Sequence, residues 1–278
     1  MSGTPKISIV IACFNDPDVV KAVNSASLQT YPNKEIIVID DGSNGETKNA
    51  IKTVEKHIDI LITQQNYGQS IARNNGIKKA NGDYILNWDS DDFFEPSFCE
   101  KAIKHFQKDE NIKIVSCYAK RFNEKGKIDD FIPKGGDISS FLFSNAALGS
   151  AMFLKKDWLE CGGYEEKLPI LGFEDWELYI QLLKNGGYAY IIPELLFNYQ
   201  VRLGSTTQRI KTLKEEKFKV IINKHSELYK ENFAKLIEVL FVRVAREKNE
   251  TLRKENSYNY KLGSFILRPL RFFKSLFH

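Results

Sequence analysis

Three carboxylates in four residues, Asp89-Ser90-Asp91-Asp92, follow an apolar run that ends at Trp88. Charges that close repel one another, and a low-dielectric cleft tolerates them only where a cation or solvent relieves them. Oxygen-only donors favour Mg²⁺ or Mn²⁺ over zinc, and residues two apart, such as Asp89 and Asp91, point to one side of an extended backbone. An ion held by one or two carboxylates usually completes its shell with phosphate oxygens. The same residues equally suit an exposed acidic turn that starts the next helix. A second acidic turn, Asp40-Asp41-Gly42-Ser43, also follows an apolar run, and there Asp40 can cap a helix or touch a ligand. A third pair, Glu174-Asp175, opens a helical stretch, where such acids act as a general base or simply as first-turn helix residues. The four histidines, His57, His105, His225 and His278, fall in no triad or metal spacing. No Gly-rich dinucleotide turn follows the first apolar run, and no P-loop sequence exists.

These turns need a scaffold, and the first hundred residues supply one. Short apolar runs at Ile7–Ala12, Glu35–Ile39, Asp59–Ile62 and Asp83–Trp88 alternate with amphipathic stretches at Asp18–Leu28, Glu46–His57 and Gln69–Lys79. That alternation predicts an α/β fold with a parallel sheet, right-handed crossovers and ligands beyond the carboxyl ends of the strands. Beyond Asp92 we expect a helix over Ser97–Lys108 and a strand over Lys113–Tyr118. A hairpin or mobile loop should follow over Asn123–Asp137, then a second apolar half containing Gly149–Leu154 and a helix from Glu174. From Thr207 to Tyr258 leucine, isoleucine and phenylalanine recur at helical spacing among lysines and glutamates. We therefore expect a catalytic domain over residues 1–204 and a helical extension over 205–278.

The Asp40 turn, the segment Asn66-Tyr67-Gly68-Gln69-Ser70-Ile71-Ala72-Arg73-Asn74-Asn75-Gly76, the Asp89 loop and Gly172-Phe173-Glu174-Asp175-Trp176-Glu177-Leu178 occur in that order. Together they resemble the inverting, nucleotide-sugar-dependent glycosyltransferases of family 2, which have the GT-A fold, a mixed but mainly parallel Rossmann-like sheet. The resemblance spans Ile7 to about Tyr199 and implies a role for each matching position. Ala12, Phe14 and Asn15 would line the nucleotide pocket, Asp41 would receive the uracil edge and Arg73 would sit beside base and diphosphate. Asp89 would contact the ribose or share the metal with Asp91, and Asp175, with Glu174 as its rival, would be the base. Trp88 and Trp176 would either face sugar C–H surfaces or fill the core, and Gly149-Ser150 would either approach sugar and acceptor or form an ordinary turn. Where many relatives carry a metal-binding histidine, Tyr199-Gln200-Val201-Arg202 places Arg202, which cannot bind a metal but can clamp a diphosphate. The reaction implied is sugar transfer from a UDP-sugar, with Mn²⁺ or Mg²⁺, to a saccharide or lipid-linked saccharide in surface polysaccharide assembly. Transfer to a polyprenyl phosphate, or nucleotide-sugar binding without turnover, are the alternatives.

The chain has 278 residues, 42% of them hydrophobic, with 40 basic against 36 acidic residues, a balance that argues against a nucleic-acid partner. The whole excess of +4 lies beyond residue 260, where Lys261, Arg268, Arg271 and Lys274 meet no acid. On a helical projection Phe265, Ile266, Pro269, Leu270, Phe272, Phe273, Leu276 and Phe277 share one arc and the basic residues lie opposite. Such a segment suits an anionic membrane surface, its own domain or a second subunit, and Pro269 should kink or restart the helix. Four scattered cysteines, no apolar leader and no run of about 18 apolar residues suggest a cytosolic protein that meets a membrane, if at all, from one side.

Overall fold

The computed structural model describes the backbone of residues 4–202 and 214–275 and the side chains of 4–202 and 215–267. Four strands, β1 (Ile7–Cys13), β2 (Lys34–Asp40), β3 (Ile60–Thr63) and β4 (Tyr84–Asp89), pair in parallel in the order β3-β2-β1-β4. They fall almost where the apolar runs place them, because β1, β2 and β4 are buried on both faces and so read as continuous rather than alternating runs. The crossovers are helices α1 (Val19–Ser27), α2 (Gly45–Val54, extended by a 3₁₀ turn over Glu55–His57) and α3 (Gln69–Lys79).

The second half extends the same sheet. After β5 (Phe93–Phe94) and α4 (Phe98–Lys108) come the hairpin β6 (Ile112–Asn123) and β7 (Gly126–Phe131), then α5 (Ile138–Phe141), β8 (Met152–Leu154) and α6 (Lys155–Cys161). Helix α7 (Glu174–Leu183) and strand β9 (Tyr188–Gln200) complete it. Strand β8 joins β4 to β6 in antiparallel fashion, β9 runs parallel to β6, and β5 closes on β9, so the sheet is mixed but mainly parallel on its β1 side. The stretch expected to be a hairpin or a loop is thus a hairpin as far as Phe131. Strand β9 hides in the sequence because Pro193 interrupts it. Cys117 pairs with Ile192 and Tyr118 with Leu195, so Pro193 and Glu194 bulge out of the ladder to which proline cannot donate.

Contacts divide the chain into two compact units, Met1–Ser226 and Glu227–His278. The first ends with α8 (Lys214–Lys224), and the expected boundary after residue 204 lies outside the described residues. Beyond α9 (Ser226–Glu231), the second unit consists of α10 (Phe233–Asn256) and α11 (Tyr258–Ser275), which continues through Pro269 rather than restarting there. Helix α10 buries no residue, and Phe241 and Phe265 are 70% and 75% exposed. Leu276 and Phe277 lie outside the described residues. Among the described residues no helix is long and apolar enough to cross a membrane.

All four cysteines are free. Cys13, Cys99 and Cys117 are sealed in the core, and burial pushes the Cys13 thiol up to about 12 and raises the other two.

At the amino end of the parallel strands one carboxylate ties three segments. Glu35 on β2 accepts from Ser8 Oγ and the Asn81 amide on one oxygen, and from Lys6 Nζ at 2.8 Å and Asn81 Nδ2 at 3.1 Å on the other. Burial alone would raise its pKa, but these four bonds win and hold the carboxyl at about 2. Because the folded value lies below the unfolded one, this stabilisation is complete above about pH 5 and is lost as pH falls towards 2. Replacing Glu35 with Gln should cost on the order of 2 kcal/mol in urea unfolding at pH 7. The difference from wild type should shrink when the same measurement is made near pH 3.

Candidate functional site

A cleft of about 460 Å³ opens at the carboxyl ends of β1 and β4, where a parallel sheet leaves its loops free to bind ligands. Ala12, Arg73, Asp89, Asp91, Gly149, Ser150, Glu174 and Asp175 all line it, although they come from separate stretches of sequence.

Arg73 projects from α3 and is 2% exposed. Its guanidinium donates to Asp89 Oδ1, which also takes Gln69 Nε2 at 3.2 Å, and its Cζ lies 5.3 Å from the centroid of the Tyr164 ring. Burial works against the charge, but Asp89, Tyr164, Glu174 and Asp175 together raise its pKa, so the buried arginine remains a cation. Arg73 Nε has no partner among the described residues.

Asp175 stands in the first turn of α7 and accepts from Asn145 Nδ2 at 2.9 Å. Burial first, then the neighbouring Glu174 charge, push its carboxyl up to about 7, against the opposing pull of Arg73 and the Trp176 amide. Gly149 makes this placement possible, since a Cβ there would come within 2.9 Å of Asp175 Oδ2. Its carbonyl is fixed by Asn87 Nδ2 and the Tyr179 hydroxyl, both at 2.9 Å. Glu174 is 3% exposed, and its Oε2 has no partner among the described residues.

The acidic loop divides its labour. Asp92 is 1% exposed and structural, taking the Gln200 amide at 2.8 Å while its carbonyl accepts Trp88 Nε1. Asp91 is more open, with Arg202 Nε 3.6 Å from Oδ2. Burial and Asp89 push the Asp91 carboxyl up to about 6, with Arg202 pulling the other way. No group of three His, Cys, Asp or Glu side chains converges as a closed metal cage among the described residues. The donor set nevertheless fits a hard divalent ion of the kind that takes one or two carboxylates and fills its shell with phosphate oxygens. Asp91 would be the ligand, with Asp89, already paired to Arg73, beside it.

Several residues expected to meet the ligand make contacts within the protein. Trp88 is fully buried and packs edge-on against Phe94, so it cannot offer a face to a sugar. Trp176 is 5% exposed, stacked on Phe218 and bonded through its indole N–H to the Phe141 carbonyl, and is likewise a core residue. Phe14, Asn15 and Asp41 do not line the cleft. Asn15, at φ 51°, links to Ser43 and Asn44 of the next loop, and Phe14 is half exposed. Asp41 accepts from Gln64 Nε2 at 2.8 Å and the amides of Tyr67 at 3.0 Å and Gly68 at 2.9 Å, in the loop that leads into α3. Arg202 pairs with Asp16 at 2.9 Å and Asp18 at 2.7 Å.

Other cleft residues carry little sequence signal. Gln69 is adjacent to the Arg73 segment and could have been read from it, whereas Asn145 sits in no motif. Arg121, paired with Asp129, and Phe131 come from the hairpin.

A family model described as Glycosyl transferase family 2 matches residues 8–145. The Escherichia coli protein named UDP-Glc:alpha-D-GlcNAc-diphosphoundecaprenol beta-1,3-glucosyltransferase WfaP is 31% identical over 212 residues, covering 72% of this chain and 79% of that one. The chondroitin synthase of Escherichia coli is 28% identical over 235 residues, 80% of this chain but 33% of its own length. Two solved structures share the fold. S. aureus TarS 1-349 in complex with UDP-GlcNAc superposes with a TM-score of 0.61 at 16% identity, covering 73% of this chain and 60% of that one. Mannosyltransferase PcManGT from Pyrobaculum calidifontis, in complex with GDP-Man and Mn²⁺, gives 0.60 at 15% identity over 95% and 84%.

A carboxylate whose folded pKa is raised destabilises the native state as pH climbs from the unfolded value towards the folded one. Asp175→Asn should therefore stabilise the protein at pH 8 by roughly 1–3 kcal/mol, a gain that fades towards pH 4. Urea melts at the two pH values measure it, and a destabilised variant at pH 8 would contradict the charge balance described above.

Proposed function

This chain belongs to glycosyl transferase family 2, and on that basis we propose that it is an inverting transferase moving a sugar from a UDP-sugar to a hydroxyl of a saccharide or lipid-linked saccharide. The observation that carries this reading is Asp175, oriented by Asn145, lining the cleft that Asp89 and Asp91 also line, with its carboxyl near pH 7. An acceptor hydroxyl holds its proton too tightly to ionise unaided, and a base whose pKa lies close to working pH removes it as the new bond forms. Attack on the anomeric carbon from the face opposite the departing diphosphate inverts the configuration. Asp91 would hold a divalent ion that, when bound, supplies Lewis-acid stabilisation to the diphosphate. Arg73 keeps Asp89 and Asp175 compatible in one buried site, and Gly149 leaves room for the base. The name of the WfaP relative, with a diphosphoundecaprenol-linked acceptor, supports a lipid-linked saccharide here.

Nucleotide release from a panel of UDP-, GDP- and dTDP-sugars with Mn²⁺ or Mg²⁺ tests the donor, and UDP-sugars should give the highest rate. Asp175→Asn should lower kcat by ~10²–10⁴-fold. Since the base works ionised, kcat should fall about tenfold per unit below pH 7 in the wild type. Full activity of the variant would point instead to an acceptor phosphate, which needs no base. Failure of every nucleotide to bind would remove the donor assignment.

We also propose that the second unit touches a membrane from one side. Leu262, Phe265 and Ile266 are more than half exposed on α11, beside a basic sequence free of acids. Removing residues 258–278 should reduce flotation with anionic liposomes while sparing transfer to a soluble acceptor. Unchanged flotation would assign this face to another protein surface.

A further inference from the structure

We infer that helix α8 is the positioning element of the base, with Lys217 and Phe218 holding the first turn of α7 so that Asp175 faces the cleft; the inference rests on the reading of Asp175 as base. The need for such an element is visible at the start of α7. Its N-cap residue, Phe173, provides no side-chain hydrogen bond, and Glu174, Asp175 and Glu177 crowd three acids into the first turn. An uncapped helix start leaves amide groups unsatisfied and frays easily, and the helix dipole alone does not fix the rotation of the turn. A base must be placed far more tightly than that.

Helix α8 reaches this turn on both sides of Asp175. Lys217, 8% exposed, donates through Nζ to the Leu171 carbonyl, immediately before the cleft-lining Gly172. Phe218 stacks on Trp176, the residue after the base, with ring centroids 5.4 Å apart and planes 16° from parallel. The Trp176 indole is also gripped by Phe173 at 5.3 Å and by the Phe141 carbonyl. Further along, Lys224 Nζ and His225 Nε2 meet the same oxygen of the fully buried Glu177, at 2.7 and 2.8 Å, and Lys224 also pairs with Glu165. This helix and the residue that follows it thus fix the carbonyl four residues before the base, the ring one after it and the carboxylate two after it. Successive helical residues are about 100° apart on one rigid turn, so fixing the Trp176 ring resists rotation of that turn about the helix axis, which would turn Asp175 away from the cleft.

The proposal makes Lys217 and Phe218 positioning residues, and the test compares Phe218→Leu and Lys217→Met with the conservative Phe218→Tyr and Lys217→Arg in the full chain. Hydrogen exchange of amides 173–178 reads the contact without any substrate, and should quicken by about tenfold in the first two variants. The same two should lose ~10-fold or more in kcat, with the donor KM within about twofold of wild type. The two conservative variants should keep both readouts at the wild-type level. In an Asp175→Asn background the α8 changes should cost nothing further, because no base remains to misplace. An equal fractional loss in that background, or quickened exchange with unchanged kcat, would overturn the positioning role alone. Full transfer by Asp175→Asn itself would remove the base reading, and this inference with it.

Discussion

Carboxylates from β4, from the loop after it and from the start of α7 meet in one cleft, and the buried guanidinium of Arg73 is what lets them coexist. Arg73 opposes the burial and the Glu174 charge that push the Asp175 carboxyl up, and it pairs directly with Asp89. The rest of the site can be traced from how that arginine is held. It stands on α3, and the entry to α3 is shaped by Asp41, whose carboxylate collects the amides of Tyr67 and Gly68. Gly42 allows the approach, since a Cβ there would sit 2.7 Å from the Asn66 amide. The two sequence segments that look like separate motifs are therefore one structural unit. Asp41 is bonded to the loop that enters the helix carrying the cation.

Much of this was legible because burial on both faces leaves an unmistakable trace. The runs in β1, β2 and β4 are largely apolar, and the acids just past their ends stand out against them. The mixed second half was less legible for local reasons. Pro193 breaks the reading of β9, β5 has two residues, and β7 is exposed along its whole length, so no apolar run announces it. Aromatic residues misled in a particular way. A tryptophan that stacks on a sugar and one that fills a core leave the same letter, and Trp88 and Trp176 took the second role. Arg202 is the converse case: its type was informative, but Asp16 and Asp18, its partners, lie more than 180 residues earlier.

The parallel sheet separates two kinds of polar residue. At its amino end, Glu35 is fully hydrogen-bonded and strongly acidic, and its bonds add stability. At its carboxyl end, Asp91 and Asp175 are held as weaker acids at a cost in stability, and Glu174 and Arg73 keep unpartnered polar atoms, among the described residues, beside the cleft. The contrast follows from what each end does. A carboxylate whose bonds are all made inside the protein has none to offer a ligand, whereas an incompletely satisfied one is poised to bind or to take a proton.

The sealed thiols give the chain an internal clock for its own opening. With Cys13 pushed to about 12, roughly one molecule in ten thousand would carry the thiolate at pH 8, and β1 shields it from solvent in any case. Alkylation at this position must wait until β1 parts from its neighbours. Cys99 on α4 and Cys117 on β6 sit elsewhere in the core under the same restraint. The order in which the three are alkylated maps which part of the core opens first, with no cysteine introduced by mutation.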